Sequence, residues 1–266
     1  MKTIAILGCG WLGFPLAQQL ITQGYRIKGS TTTPAKLPIL EAAGIIPFQI
    51  TLGADGNEGA ITAFLEGVET LLIDIPPKLR GAVKENFVPK IAHLIPEIKS
   101  ASITNVIFIS STSVYADDNT TVTVTTLAQP ETDSGIQLLE AEKLLQNDPG
   151  FNTTVVRFAG LIGEDRHPVK FLSGKTGIKD PDAPINLIHQ DDCIGILQQI
   201  IAKESWNTTF NAAAPHHPSR KEYYTQKAKE LQLPLPEFEN DVPSKGKTID
   251  SQKVISELGY TFQQRL

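Results

Sequence analysis

The chain has 266 residues, 41% hydrophobic and 20% charged, the balance of a folded globular protein with a full core. Its 29 acidic against 24 basic side chains leave a net charge of -5 without a basic run, which argues against nucleic acid and anionic membrane as partners. No apolar run is long enough to span a bilayer, and two cysteines, Cys9 and Cys193, are too few for a disulfide framework.

The predicted elements begin with a strand over Thr3–Leu7. It starts so close to Met1 that no signal peptide is expected ahead of it, and a reducing cytoplasm is the expected compartment. The strand runs into Gly8-Cys9-Gly10-Trp11-Leu12-Gly13, and an apolar-periodic helix follows over Leu12–Gln23. Strand, Gly-x-Gly-x-x-Gly and helix in that order form a dinucleotide-binding fingerprint. Gly8 permits the tight turn, Gly10 lets the backbone approach a pyrophosphate, and Gly13 lets the helix pack close to the sheet. The freed N–H groups of the helix start then face the phosphates, with Trp11 and Leu12 around them. Pro15 is tolerated in the first helical turn, and Cys9 is expected to pack as a small reduced residue near the cofactor.

A second strand over Tyr25–Gly29 and a helix over Pro34–Ala43 follow, then a strand over Ile45–Ile50. Gly56, Asn57 and Gly59 mark a loop before a helix over Ala60–Glu66, and Thr70–Ile75 is a buried strand stopped by Pro76 and Pro77. A helix over Glu85–Ser100 carries Pro89 and Pro96, which suggest an interruption. Asn105–Ile109 and Thr153–Phe158 read as strands around a helix over Gln137–Gln146. This alternation predicts an α/β, Rossmann-type doubly wound parallel sheet with helices on both faces. After Gly160 the periodicity fades through His167–Pro184. Helices return over Asp191–Ala202, with Asp191 or Asp192 as N-cap, within Pro215–Leu235 and near Ser251–Leu258. The expected organisation is a dinucleotide-binding domain of residues 1–163 with a return segment 186–212. Residues 164–185 and 213–266 would form a small substrate lobe closing over the carboxyl ends of the strands.

The end of the second strand bears on cofactor choice. Sheets that bind NAD present an acid there for the ribose hydroxyls, whereas Arg26–Lys36 contains none, and the first carboxylate is Glu41. Ser30, Thr31 and Thr32 offer hydroxyls to a 2′-phosphate and Lys36 a positive charge, so NADP is favoured, with NAD the alternative. The same residues would also serve merely to cap the helix that begins near Pro34.

Three further segments carry a family likeness: Val106–Tyr115, Val156–Gly163 and Asn186–Asp192. They resemble the Ser/Thr strand, the sixth strand with its loop, and the Asn-x-Ile-His-x-x-Asp segment of the extended short-chain dehydrogenases/reductases. The chain is most similar to their atypical YeeZ-like, nucleoside-diphosphate-sugar-epimerase-like subgroup. The resemblance implies that Ser111 hydrogen-bonds a substrate carbonyl or hydroxyl, and that Pro76 and Pro77 lie against the cofactor. It also places Phe158, Ala159 and Gly160 beside the nicotinamide.

The usual Tyr-x-x-x-Lys pair of that superfamily is missing. Registering Ala141-Glu142 on the family pattern puts Ser134 where Tyr should be and Leu138 where Lys should be. Leu138 cannot hold a ribose by charge, and Ser134 ionises too weakly to replace a phenol. Ser134 instead fits a capping box with Gln137. Tyr115 reads as a packing residue. His167, with Lys170 and Arg166 nearby, reads either as an acid/base or as a solvated or anion-binding group. His189 reads as a structural residue ahead of a helix, and His216 and His217 as a loop corner, with no metal expected. Two readings follow: an NAD(P)-dependent oxidoreductase or epimerase-like enzyme acting on a hydroxyl carbon of a polar small molecule, possible substrates being nucleotide-sugar-like, or a non-catalytic NAD(P)-binding sensor.

Overall fold

Two short apolar strands set the centre of the molecule. In the computed structural model, which describes residues 1–77, 85–239 and 243–264, β1 (Thr3–Leu7) lies between two parallel neighbours, β2 (Arg26–Thr31) and β5 (Thr70–Ile73). Ile4–Leu7 and Leu71–Ile73 are almost free of water. Such unbroken apolar runs are what strands covered on both faces require.

The covering helices on the N-terminal side are α1 (Gly13–Thr22), α2 (Leu37–Ala42), α3 (Ile61–Leu65) and α4 (Val88–Ser100). They alternate with β3 (Ile46–Gly53) and β4 (Gly56–Gly59). Next come β6 (Asn105–Ser111), β7 (Thr121–Val122), α5 (Asp133–Gln146), β8 (Asn152–Phe158) and β9 (Gly160–Ile162). The chain continues through α6 (Val169–Leu172), β10 (Leu187–His189), α7 (Gln190–Ala202) and β11 (Thr209–Ala212). It ends in α8 (Arg220–Glu230), β12 (Thr248–Ile249) and α9 (Gln252–Leu258).

The main sheet has eight strands in the order β11-β8-β6-β5-β1-β2-β3-β4, parallel except for the antiparallel edge strand β4. This is the expected Rossmann-type doubly wound sheet. The chain winds outward from β1 through β2 and β3, then returns to β5 on the other side. The strand ends part at that reversal, which leaves a crevice at their carboxyl edge. Two short parallel pairs, β9 with β10 and β7 with β12, tie the later segments back. A second, smaller apolar cluster joins Val169 of α6, Ile185, and Tyr223, Tyr224 and Ala228 of α8. Val254 and Leu258 of α9 belong instead to the main core.

Several elements differ from their predicted form. The loop expected around Gly56, Asn57 and Gly59 is the edge strand β4, paired Leu52 to Asn57 and Thr51 to Glu58. Its polar, glycine-rich sequence hid it. Helix α4 starts at Val88 with Pro89 in its first turn and runs through Pro96. Pro96 and Ala92 are both exposed, so water can satisfy the carbonyl that the proline leaves free. Helix α5 starts at Asp133 and is capped by Thr132, whose hydroxyl accepts the Gly135 N–H at 3.1 Å; the capping box at Ser134 does not form. Gln137 turns outward from that role and accepts the Phe87 N–H at 2.7 Å. Helix α7 is capped by His189, whose Nδ1 accepts the Asp191 N–H at 3.2 Å, so neither Asp191 nor Asp192 is the cap. Asp192 is instead buried and receives the Tyr260 hydroxyl and the Gln263 N–H. Strand β11 escaped prediction because only Phe210 in it is large and apolar.

Candidate functional site

The turn between β1 and α1 is built by close approach. Gly8 has φ +109°, and a Cβ there would stand 2.3 Å from the Asp74 carbonyl oxygen. A Cβ at Gly13 would stand 2.2 Å from the Gly8 carbonyl oxygen. Gly10 has nothing within 4 Å of its Cβ position and opens on the crevice. The α1 N-cap, Leu12, offers no side-chain acceptor; the Phe14 N–H bonds the Gly10 carbonyl at 3.1 Å, and the Gly13 N–H faces the Asp74 carboxyl. Cys9 packs beneath, and burial pushes its thiol up to about 12, which leaves it neutral and inert near pH 7.

A cavity of about 690 Å³ extends from this turn over the ends of β1, β2, β3 and β5. It gathers Gly8, Gly10, Thr31, Thr32, Lys36 and Pro76 of the expected cofactor residues. Thr31 is buried and its Oγ1 accepts the Thr33 N–H at 3.1 Å, which leaves the hydroxyl hydrogen to donate; Thr32 and Lys36 are exposed. The far wall was not foreseen. It comes from the β3–β4 hairpin, Leu52 to Glu58, and from Glu85, Phe87 and Lys90 at the start of α4. The hairpin brings Asp55 and Glu58 to the cavity, acids that no reading of the second strand alone could find.

The other expected residues stand around that cavity rather than in its wall. Leu12 is buried; Gly13 opens α1; Pro77 follows Pro76. Trp11 leans the other way. Its indole N–H donates to Asp165 at 2.9 Å and its ring lies 5.1 Å from the Arg166 guanidinium carbon, while Gln190 donates to its carbonyl. The turn after β9 is thereby strapped to the glycine turn.

Ser111 ends β6, beside Phe158 in β8. Its Oγ accepts the Ser113 N–H at 3.1 Å, and its hydroxyl hydrogen is left to donate. Phe158 and Ala159 are buried, and Gly160 is exposed at the start of β9. The start of α5 presses on the turn after Ser111, since a Cβ at Gly135 would lie 2.2 Å from the Ser113 carbonyl oxygen. Along α5, Ser134 is half-buried and Leu138 buried.

The other candidates for proton transfer are engaged elsewhere. Tyr115 is buried with its ring 4.9 Å from the Arg157 guanidinium carbon. Its hydroxyl accepts from Arg157 and donates to Asn211 at 3.0 Å, which is the packing role expected. Arg157 in turn pairs with Glu142, which is inaccessible to solvent, by bonds of 2.6 to 3.2 Å, and Glu142 also accepts from Ser110. A charged residue in the apolar strand Thr153–Phe158 and another on the buried face of α5 were the signal for this pair, and it went unread.

His167 is neither of the two things expected. Its Nδ1 accepts the Val169 N–H at 3.2 Å, so the neutral ring carries its hydrogen on Nε2 and donates to the Tyr223 hydroxyl at 2.9 Å. Burial, with Lys227 and Lys170 adding to it, lowers the His167 pKa from 6.5 to about 4. As pH falls, the unfolded chain takes up this proton first, so the contribution is complete above 6.5 and lost toward 4. The expected result is a thermal midpoint that falls between about pH 7 and pH 5, and falls less in His167→Gln. An identical fall in both proteins would remove His167 as the cause.

No family model matches the sequence. The chain is 36% identical to protein YeeZ of Escherichia coli (strain K12), across 99% of this chain and 96% of YeeZ. A solved structure of a functionally unknown conserved protein from Silicibacter pomeroyi DSS superposes with a TM-score of 0.80 at 26% identity, covering 99% of this chain and 94% of that one. The same fold is seen in UDP-glucuronic acid 4-epimerase from Bacillus cereus, solved with UDP-glucuronic acid and NAD. There the TM-score is 0.79 at 17% identity, over 99% of this chain and 95% of the epimerase. With this sheet, this glycine turn and this relative, the chain belongs to the YeeZ family.

Proposed function

We propose that the chain binds a nicotinamide dinucleotide, NADP in preference to NAD, and uses it to exchange hydride with a hydroxyl carbon of a polar, nucleotide-sugar-like molecule. One observation carries the reading: a glycine turn and the start of α1 open on a cavity of about 690 Å³ at the carboxyl ends of parallel strands. Gly10, Trp11, Leu12 and Gly13 would hold the pyrophosphate. Thr31 and Thr32 would donate to the adenosine ribose or its 2′-phosphate, with Lys36 supplying charge, while Asp55 and Glu58 flank the same cavity. The cofactor supplies the hydride chemistry when bound. Ser111, at the end of β6, would donate its free hydroxyl hydrogen to the substrate oxygen.

Calorimetric titration with NADPH and NADH tests the cofactor reading. Lys36→Glu is expected to weaken NADPH about tenfold or more, ~1.4 kcal/mol, and NADH little. A clear NADH preference in the native protein would overturn the NADP assignment.

The second reading, a dinucleotide sensor without turnover, is favoured by Ser134 and Leu138 in the places of the Tyr and Lys. Spectral change of bound cofactor on adding a panel of nucleotide sugars separates the two. Turnover with any of them supports the enzyme, and tight cofactor binding with none supports the sensor.

A further inference from the structure

An acid stands where the phosphate-binding turn meets the sheet. Asp74 follows β5 directly, its N–H bonded to the Leu7 carbonyl at 2.9 Å. Its carboxyl reaches under the first turn of α1, where the Gly13 N–H favours its charged form. A Cβ at Gly13 would lie 3.2 Å from Asp74 Oδ2, and Asp74 lines the same cavity as Gly8 and Gly10. The carboxyl therefore holds the helix start from the sheet side. A pyrophosphate over Gly10 would meet that end from the cavity side.

The titratable groups around Asp74 do little to neutralise it. Cys9 on the glycine turn and Cys193 on α7 are both buried thiols held neutral, their pKa values pushed up by burial. Arg166, on the turn after β9, is the cation that favours the charged form, and it lies against the Trp11 ring beside Asp165. Lys36 stands beyond Cys9, while Glu85 and Lys90 pair with each other across the cavity. Among the described residues no Lys or Arg forms an ion pair with Asp74. Desolvation, opposed by the Gly13 N–H and by Arg166, pushes the carboxyl up from 3.8 to about 7.

Building on the dinucleotide reading above, we propose that Asp74 couples dinucleotide binding to proton uptake, the pyrophosphate being bound tightly only while Asp74 is neutral. An ionised Asp74 offsets the positive helix end and repels a diphosphate held over Gly10. A neutral Asp74 leaves the helix end to the ligand. The sign follows from linkage: binding takes up a proton above about pH 7, so affinity falls there, by at most tenfold per pH unit for one proton. Below that pH the affinity is flat.

The probe is NADH, which has no 2′-phosphate to titrate, measured by calorimetry on the full chain between about pH 6.5 and pH 8.5 in two buffers of different ionisation enthalpy. Affinity is expected to fall roughly tenfold from pH 7 to pH 8.5, with proton uptake rising toward one. Asp74→Asn keeps an acceptor for the Gly13 N–H; it should show no proton uptake, a flat profile, and tighter binding than the native protein at pH 8.5. A flat native profile with zero uptake overturns the proposal without any variant. A slope retained in Asp74→Asn overturns it by assigning the proton elsewhere. Failure to bind NADH or NADPH at any of these pH values would instead sink the dinucleotide reading itself.

Discussion

Glu142→Ala is expected to destabilise the protein by about 3–5 kcal/mol, because it strands a buried guanidinium. Glu142 has no solvent exposure and holds Arg157 by three bonds, the Ser110 hydroxyl by a fourth. Among the described residues Arg157 would keep only the Tyr115 hydroxyl and ring. A loss of that size is a large fraction of the ~5–15 kcal/mol that holds a domain together. The pair joins α5 to β6 and β8, so its failure loosens the segment that carries Ser111. Glu142→Leu combined with Arg157→Met should recover part of the loss, since it removes both charges together and leaves only the Ser110 and Tyr115 hydroxyls to find other partners. Urea unfolding midpoints measure all three proteins. A single variant within about 1 kcal/mol of native would show that the pair is hydrated or dispensable.

The glycine turn gives the second large effect, and it separates folding from binding. Gly10→Ala should fold like the native protein, because nothing lies within 4 Å of the added Cβ, yet it should weaken NADPH about 100-fold, ~2.7 kcal/mol, by occupying the open face. Gly13→Ala should instead damage the fold. Its Cβ would fall 2.2 Å from a backbone oxygen that cannot swing aside, and parting α1 from the sheet opens the core around Leu16, Ala17 and Leu20. A cost of about 3 kcal/mol is expected, in line with overpacking of a close backbone contact. Thermal unfolding and NADPH titration of the two variants together decide the matter. Native-like NADPH affinity in Gly10→Ala would remove the pyrophosphate from this turn.

Much of this was legible along the chain because it depends on near neighbours. The strand, glycine turn and helix of residues 3–22 are a local pattern, and so is the buried strand before Pro76. Helix starts were less legible. Thr132 and His189 won the capping positions over Ser134, Asp191 and Asp192 because the packing of α5 on the Ser113 carbonyl and the burial of Asp192 under Tyr260 decided where each helix could begin. His167 shows the same limit. Its sequence neighbours, Arg166 and Lys170, suggested an anion or a proton in transit, whereas its partner is Tyr223, far along the chain.

By itself the sequence determined the fold class and the place of the glycine turn, which rest on periodicity and spacing; Ser134 and Leu138 in the places of a Tyr and a Lys are what the resemblance implies. Only the tertiary structure decided what surrounds that turn. Asp74 follows β5, Arg166 lies on the turn after β9, and Asp55 and Glu58 of the far wall come from the β3–β4 hairpin. Those groups meet because parallel strands bring their carboxyl ends to one edge, whatever their separation in sequence. Charge and desolvation act through space, so the ionisation of the site could be seen only once the sheet had assembled it.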